Sequence, residues 1–155
     1  MGQSLFLRPL LATVLIFWLS ATVQADDFRG RIVKLQGEVY VLNEHGEQRH
    51  PQKTKYLVNT RETVVTRPGA KAVVQFDDGA LTVLDEKSRL RVEESGWLSQ
   101  LGGKVYYIFR KVFGTERRRQ VKTNFATIGV RGTTFIVFET EDGKGVALEE
   151  GKLNI

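Results

Sequence analysis

Apolar residues along this chain recur at every second position, in short runs cut by turn residues, which is the period of strands. The stretch from Val121 to Glu139 organises the pattern. Two β-rich runs meet there at a small hinge, Gly129-Val130-Arg131-Gly132-Thr133. The run from Thr133 to Phe138 is β-branched and aromatic throughout. Phe135 and Val137 point one way, and Thr134, Ile136 and Phe138 the other. A strand apolar on both faces is expected to be covered on both faces. Gly129 and Gly132 allow a bulge or sharp bend just before it. The expectation is a central strand entered through a kink.

Shorter runs precede it. Phe28 to Leu35 is mixed, Gly37 breaks it, and Val39 to Leu42 follows. Asn43 to Glu47 reads as a polar turn and Arg49 to Thr54 as loop. Tyr56 to Val58 and Thr63 to Thr66 are apolar, the latter closed by Pro68-Gly69, a pair suited to a type II turn. Ala72, Val74 and Phe76 alternate with Lys71, Val73 and Gln75 up to Asp77-Asp78-Gly79, which predicts a type I′ hairpin returning through Ala80 to Leu84. From Ser88 to Glu93, Leu90 and Val92 point in, and Arg89, Arg91 and Glu93 point out. Glu94 to Gly103 fits a short strand or a helical turn equally well. Lys104 to Phe109 is a strong β run. Glu141-Asp142-Gly143-Lys144 predicts a second hairpin turn leading to Val146-Ala147-Leu148, and Glu149-Glu150-Gly151 turns into Lys152 to Ile155. Segments beginning at Gly37, Gly103 and Gly151 echo one another at unequal spacings, so no fixed repeat is present. No window reads as a long amphipathic helix. Fifteen glycines and three prolines punctuate the runs, and about ten short strands make an all-β sandwich, barrel or short, irregular β-solenoid.

The first residues read as an address. Arg8 is the one charge before Asp26, an apolar run extends from Pro9 to about Leu19, and Val23 and Ala25 suit the positions before a signal-peptidase cut. The run is shorter than the roughly 20 apolar residues of a membrane span. The expectation is a cleaved signal over residues 1–25, one all-β domain over 26–155, and no stable membrane anchor after cleavage. The chain has no cysteine, which excludes a lipid anchor after the signal and a disulfide framework. The fold then relies on its core, as suits a bacterial periplasm. The net charge of +5 permits weak attraction to polyanions. Secretion turns that expectation away from nucleic acid and toward envelope polymers.

In Val65-Thr66, the Ala72 to Leu84 hairpin with its Asp-Asp-Gly turn, Ser88 to Val92, Val121-Lys122-Thr123 with Ala126, Val130-Arg131-Gly132-Thr133-Thr134-Phe135, and Glu150-Gly151-Lys152, the chain resembles the FecR domain family over nearly all of residues 30–155. Arg61-Glu62 stands where that family usually has Gly-Asp, which predicts a different backbone in that turn, and Asn124 stands where proline is usual. Regulatory members join a cytoplasmic anti-sigma segment, one membrane span and a periplasmic FecR region, and relay a signal from an outer-membrane receptor to a sigma factor. A signal peptide in place of the cytoplasmic segment implies a stand-alone periplasmic module that does not reach a sigma factor. Ile155 falls inside a run that reads as a strand, which points to a short version of the domain or an early end.

Catalytic chemistry has little to stand on. His45 and His50 share a loop with Glu44 and Glu47 at no recognised metal-ligand spacing and read as exposed loop residues. Asp77, Asp78, Glu141 and Asp142 read as turn residues. Ser88, Ser95 and Ser99 lie in no nucleophile-elbow context, and Gly129 and Gly132 form no phosphate loop. No enzyme activity, cofactor or metal is expected. The one charged feature is a basic segment with interleaved aromatics, in which Arg110, Lys111, Arg117, Arg118 and Arg119 form the candidate binding patch. The competing reading is a solvated loop whose aromatics face inward. Arg131, beside the hinge glycines, is expected to pair with an acid and fix the bend. Two function classes fit: a protein-interaction module of the envelope, whose partner is a periplasmic or outer-membrane protein, and a binder of anionic envelope polymers such as peptidoglycan, lipopolysaccharide or exopolysaccharide.

Overall fold

A computed structural model describes residues 29–51, 54–110, 119–130 and 132–155. In chain order the strands are β1 (Gly30–Gln36), β2 (Val39–Leu42), β3 (Gln48–Arg49), β4 (Tyr56–Val58), β5 (Thr63–Thr66), β6 (Lys71–Phe76), β7 (Leu81–Leu84), β8 (Arg89–Val92), β9 (Trp97–Ile108), β10 (Arg119–Lys122), β11 (Thr127–Val130), β12 (Thr134–Thr140), β13 (Gly143–Glu150) and β14 (Leu153–Asn154). A single 3-10 turn, Glu94–Gly96, precedes β9. The strands make one 14-stranded sheet curled into a half-barrel. The all-β expectation holds, and of its alternatives the barrel lies nearest the observed curl.

Strand β9 makes the curl. Its 12 residues bend at Gly102 (φ +144°) and Gly103 (φ +85°), both in the region that favours glycine. Before the bend it pairs antiparallel with β8 and parallel with β10; after it, antiparallel with β7 and β12. One wing therefore runs β3-β2-β5-β8-β9-β10-β11-β14 and the other β4-β1-β6-β7-β9-β12-β13. The β9–β10 pairing is parallel, and the other pairings among the described residues are antiparallel.

Hydrogen bonds lock the corner. A Cβ on Gly103 would lie 2.4 Å from both Cα and Oγ of Ser88 and 2.6 Å from the Lys87 carbonyl. Ser88 Oγ accepts the Lys104 N–H at 2.9 Å and lies 3.0 Å from the Lys104 carbonyl. Thr66 Oγ1 accepts the Ser88 N–H at 2.9 Å and donates to the Asp85 carbonyl at 2.6 Å. Inside the curl, Gln100 donates its amide to the carbonyls of Gly103 (2.9 Å) and Val137 (3.1 Å), and its Oε1 accepts the Tyr107 hydroxyl at 3.0 Å. Ser88, Gln100 and Tyr107 are buried, so these bonds satisfy groups that would otherwise be costly to bury.

Alternation fills the hollow of the curl. Ala72, Val74, Phe76, Leu90 and Val92 all point inward, as their pattern predicts. Phe135 stacks on Tyr107 at 4.9 Å between ring centroids, and Phe109 lies 5.8 Å from Tyr107 and 5.9 Å from Phe135; such pairs add about 1 kcal/mol each beyond area burial.

Several local expectations need correction. β12 does lie between two strands, β9 and β13, but only its Phe135–Val137 face is buried; Ile136 and Phe138 are half-buried. Gly129 sits in β11, paired with Gln120 and Asn154, and of the two glycines only Gly132 takes a positive φ, +60°. Arg131 lies outside the described residues. The Asp77-Asp78-Gly79 turn is not type I′: only Gly79 has positive φ (+82°), and the Gly79 N–H donates to the Phe76 carbonyl at 2.9 Å. This is a type I turn closed by a left-handed glycine, the three-residue hairpin. Pro68-Gly69 forms the expected type II turn, with φ +73° at Gly69 and the Ala70 N–H bonded to the Arg67 carbonyl at 3.0 Å. The undecided segment from Glu94 resolves into the 3-10 turn and the start of β9, and the loop read from Arg49 begins one residue later, since β3 takes Arg49.

Replacing Gly103 by alanine forces both a strained φ and a backbone clash, and is expected to cost about 3 kcal/mol or more, read by urea unfolding. Burial also pushes the Tyr107 phenol well above its ordinary pKa. In the unfolded chain that phenol ionises near pH 10, while in the fold it keeps its proton. Tyr107 therefore contributes fully below about pH 10, and above it stability falls by up to about 1.4 kcal/mol per pH unit for this one proton. Unfolding curves of the parent and Tyr107→Phe across alkaline pH should differ by that slope; parallel curves would remove Tyr107 as the cause.

Candidate functional site

The structure takes one residue, Arg119, out of the basic patch. Arg119 opens β10 and is buried, 6% exposed. Its Nε and Nη2 donate to Asp78 Oδ2, its Nη1 donates to the Gly96 carbonyl at 3.2 Å, and its guanidinium lies 6.0 Å from the Phe76 ring centroid. Arg119 is thus an internal strut joining the β6–β7 turn to the start of β9, and it leaves the exposed patch. Arg110 is exposed. Lys111, Arg117 and Arg118 lie outside the described residues. Tyr107 and Phe109, two of the aromatics interleaved with the patch, are core residues. His45 and His50 are exposed, with the His50 ring 6.0 Å from Tyr40.

A shallow groove of about 220 Å³ lies nearby, lined by Arg61, Arg91, Glu93, Glu94, Trp97 and Lys122. Its charges already engage one another. Arg61 bonds Glu94 at 2.6 Å and reaches Glu44 at 3.4 Å, which holds its guanidinium above the usual arginine pKa. Lys122 Nζ sits 4.1 Å from the Trp97 ring centroid, and Arg91 Nε lies 3.7 Å from Glu93. Exposed pairs of this kind add little stability. Their role here is local, because Arg61 adopts φ +69°. The turn expected to differ for want of a glycine keeps the left-handed backbone that glycine favours, and a side chain anchored at its far end occupies it. Glu62 completes the turn, accepting the Asn59 N–H at 2.8 Å while buried.

The surface with chemistry to spare is an edge. Strands β3, β4 and β14, the other ends of the two wings, have two, three and two residues. β13 has eight and pairs only with β12 among the described residues. The two-residue turn Glu141-Asp142 makes Thr140 and Gly143 a hydrogen-bonded pair. By alternation, Lys144, Val146 and Leu148 turn their N–H and C=O groups to the open side. Leu148 is 49% exposed and Val146 packs against the core. The sequence locates the hairpin but not that β13 is an edge strand, since pairing order is not written in periodicity.

The family model described as FecR protein matches residues 62–154, from β5 into β14. The chain belongs to the FecR family. No curated protein and no solved structure matches it. FecR domains are regulatory domains of envelope signalling with a periplasmic location. The match begins at Glu62, later than the resemblance drawn from residue 30, yet β1 pairs with β6 and β2 with β5, so residues before Glu62 share the same sheet.

The FecR motif residues sit where the chain passes between wings. Val130 to Thr134 carries it from β11 in one wing to β12 in the other, and Glu150-Gly151-Lys152 carries it back from β13 to β14. The two passages touch: a Cβ on Gly151 would lie 2.5 Å from Thr133 Cγ2 and 2.8 Å from the Gly132 carbonyl. The Asp-Asp-Gly turn is tied across by Arg119. Asn124, at the usual proline position, donates to both Glu139 carboxylate oxygens at 3.1 Å. These residues hold the fold and leave specificity to the surface. Asp78→Ala would strand the buried Arg119 guanidinium and should cost about 2–3 kcal/mol, below the full value for a buried pair because Asp78 is partly exposed. Asp78→Ala with Arg119→Met should recover part of the loss in urea unfolding; an unchanged midpoint in the single variant would show the strut to be idle.

Proposed function

We propose that this FecR domain is a non-enzymatic periplasmic module that binds an extended segment of another envelope protein along β13. The observation that carries this reading is the eight-residue strand β13, which among the described residues pairs with β12 alone, with three outward-facing backbone positions and a half-exposed leucine, while the other edges described are very short. Strand addition draws affinity from main-chain bonds and selectivity from alternate side chains, and β13 offers both. The likeness of residues 1–25 to a cleaved signal peptide supports a periplasmic address, and membership of a signalling family supports a protein partner. The burial of Arg119 takes weight from the polymer reading, since it removes a cation from the patch that reading needs.

The test is capture of periplasmic and outer-membrane extract on the immobilised protein and on Val146→Pro. Proline at Val146 removes an outward N–H while sparing the β12 ladder. A discrete protein held by the parent through a high-salt wash and lost with Val146→Pro is the expected outcome. Retention that ignores the substitution, or polysaccharide released by salt, would overturn it.

A further inference from the structure

The wing that runs β1-β6-β7-β9-β12-β13 has two apolar faces. Its inner face fills the hollow. On its outer face, alternation and register line up a row of half-buried side chains, Val73, Val83, Tyr106 and Ile136, with Leu81 and Ile108 side by side in the next row. Phe138 extends the stripe toward β13, since a Cβ on Gly145 would lie 2.8 Å from its ring. The outer face of the other wing is different, with Arg89, Arg91, Ser99, Gln120 and Lys122 in the corresponding positions.

The stripe is bordered by opposite charges. On β1, Arg31 and Lys34 are exposed and fall by register in the rows of Leu81 and Val83. On β13, Glu150 is exposed opposite Thr134, in the row of Ile108, and exposed Glu149 precedes it at the register shift. A face that is basic along one side, apolar in the middle and acidic along the other is its own complement under one rotation. With a two-fold axis along the strands, β13 of each copy lies over β1 of the other, β12 over β6, and β9 over β7. The glutamates then meet Arg31 and Lys34 twice, Ile136 meets Val73, and Tyr106 meets Val83. The rotation of about 30° between aligned sheets shifts the outermost strands by about one row, which keeps the glutamates over the Arg31 and Lys34 pair. A two-fold axis across the strands would instead lay β13 on β13 and β1 on β1, like charge on like. Six strands about 4.8 Å apart, with three outward residues each, span roughly 500 Å² per copy. Two such faces together reach about 1,000 Å², the lower end for a specific interface.

We infer that the outer face of this wing packs on the same face of a second copy of this chain, forming a two-sheet dimer. The inference does not rest on the docking reading. Stacking uses side chains normal to the sheet, and the outward N–H and C=O groups of β13 lie in its plane, so the dimer carries two open β13 edges on opposite sides.

Sedimentation velocity of the full chain over a micromolar-to-millimolar dilution series tests it. The parent should form a concentration-dependent dimer. Ile136→Thr, which keeps a β-branched residue, should weaken it roughly tenfold, since each of two symmetric contacts exchanges an apolar group for a hydroxyl. The double variant Arg31→Glu and Lys34→Glu should weaken it by a similar factor, as should the double variant Glu149→Lys and Glu150→Lys. All four positions are exposed, so these exchanges leave the core intact. Mixing the two double variants should restore association as a heterodimer, because opposite charges face one another again at both contacts. β1 lies across the wing from β13, so weakening by the Arg31 and Lys34 exchange cannot arise from pairing at the β13 edge. A parent monomeric throughout, a dimer indifferent to either charge exchange, or no recovery on mixing would each overturn the inference.

Discussion

Gly103 lies so close to Ser88 that no side chain fits between them, and this contact sets the geometry of the whole sheet. It lets β9 turn sharply while its hydrogen-bond ladder continues on both sides of the bend. The inward phase changes there: Leu98 and Gln100 are buried before the corner, and Val105 and Tyr107 after it. A strand that changes phase can serve two wings, each with its apolar face toward the same hollow. Gln100 then acts as the internal brace. Its amide touches both arms of β9 and reaches β12, so the angle between the wings is fixed by hydrogen bonds with defined directions as well as by packing. A purely apolar filling would tolerate a range of angles.

The other wing crossings depend on that angle. Gly151 meets Gly132 and Thr133 only because both passages span the same gap, and Arg119 reaches Asp78 only because the β6–β7 turn overhangs the start of β9. The motif by which the family is recognised is therefore a description of how the half-barrel closes. It is a poor guide to what the domain binds, since Asp78 is bonded to Arg119 and Gly151 packs against Gly132 and Thr133. This agrees with the general separation of fold from site, in which surface chemistry varies on a conserved frame.

The strands themselves were legible where one face is wet and one dry. Leu90 and Val92 or Ala72, Val74 and Phe76 leave no other assignment, because a one-residue slip would expose every apolar side chain. Legibility failed where backbone conformation overrode the residue pattern. The phase change at Gly102 hid β9 as two unrelated pieces. The Asp-Asp-Gly turn has the composition of a two-residue hairpin, but its Asp78 is held by Arg119 and only Gly79 takes the left-handed region. Arg119 itself was misread because three consecutive arginines look alike in sequence, whereas one of them opens a strand and is drawn inward by a carboxylate forty-one residues away. Arg61 was read as a broken turn, yet its carboxylate anchors keep a left-handed residue in place.

Edge strands usually defend themselves, by shortness, charge or a bulge. In this sheet three edges are short, and the fourth is long but not undefended. Lys144 guards its start; the two glutamates and the register shift opposite Thr134 and Phe135 guard its end. Between them Val146 is unguarded. Charges of opposite sign at opposite ends do more than repel stray strands, because they admit a strand of one polarity and reject the other. A device that blocks indiscriminate pairing thereby also selects direction and register. The physical content of an open β13 is consequently not general stickiness but a preference for antiparallel strands that begin basic and end acidic.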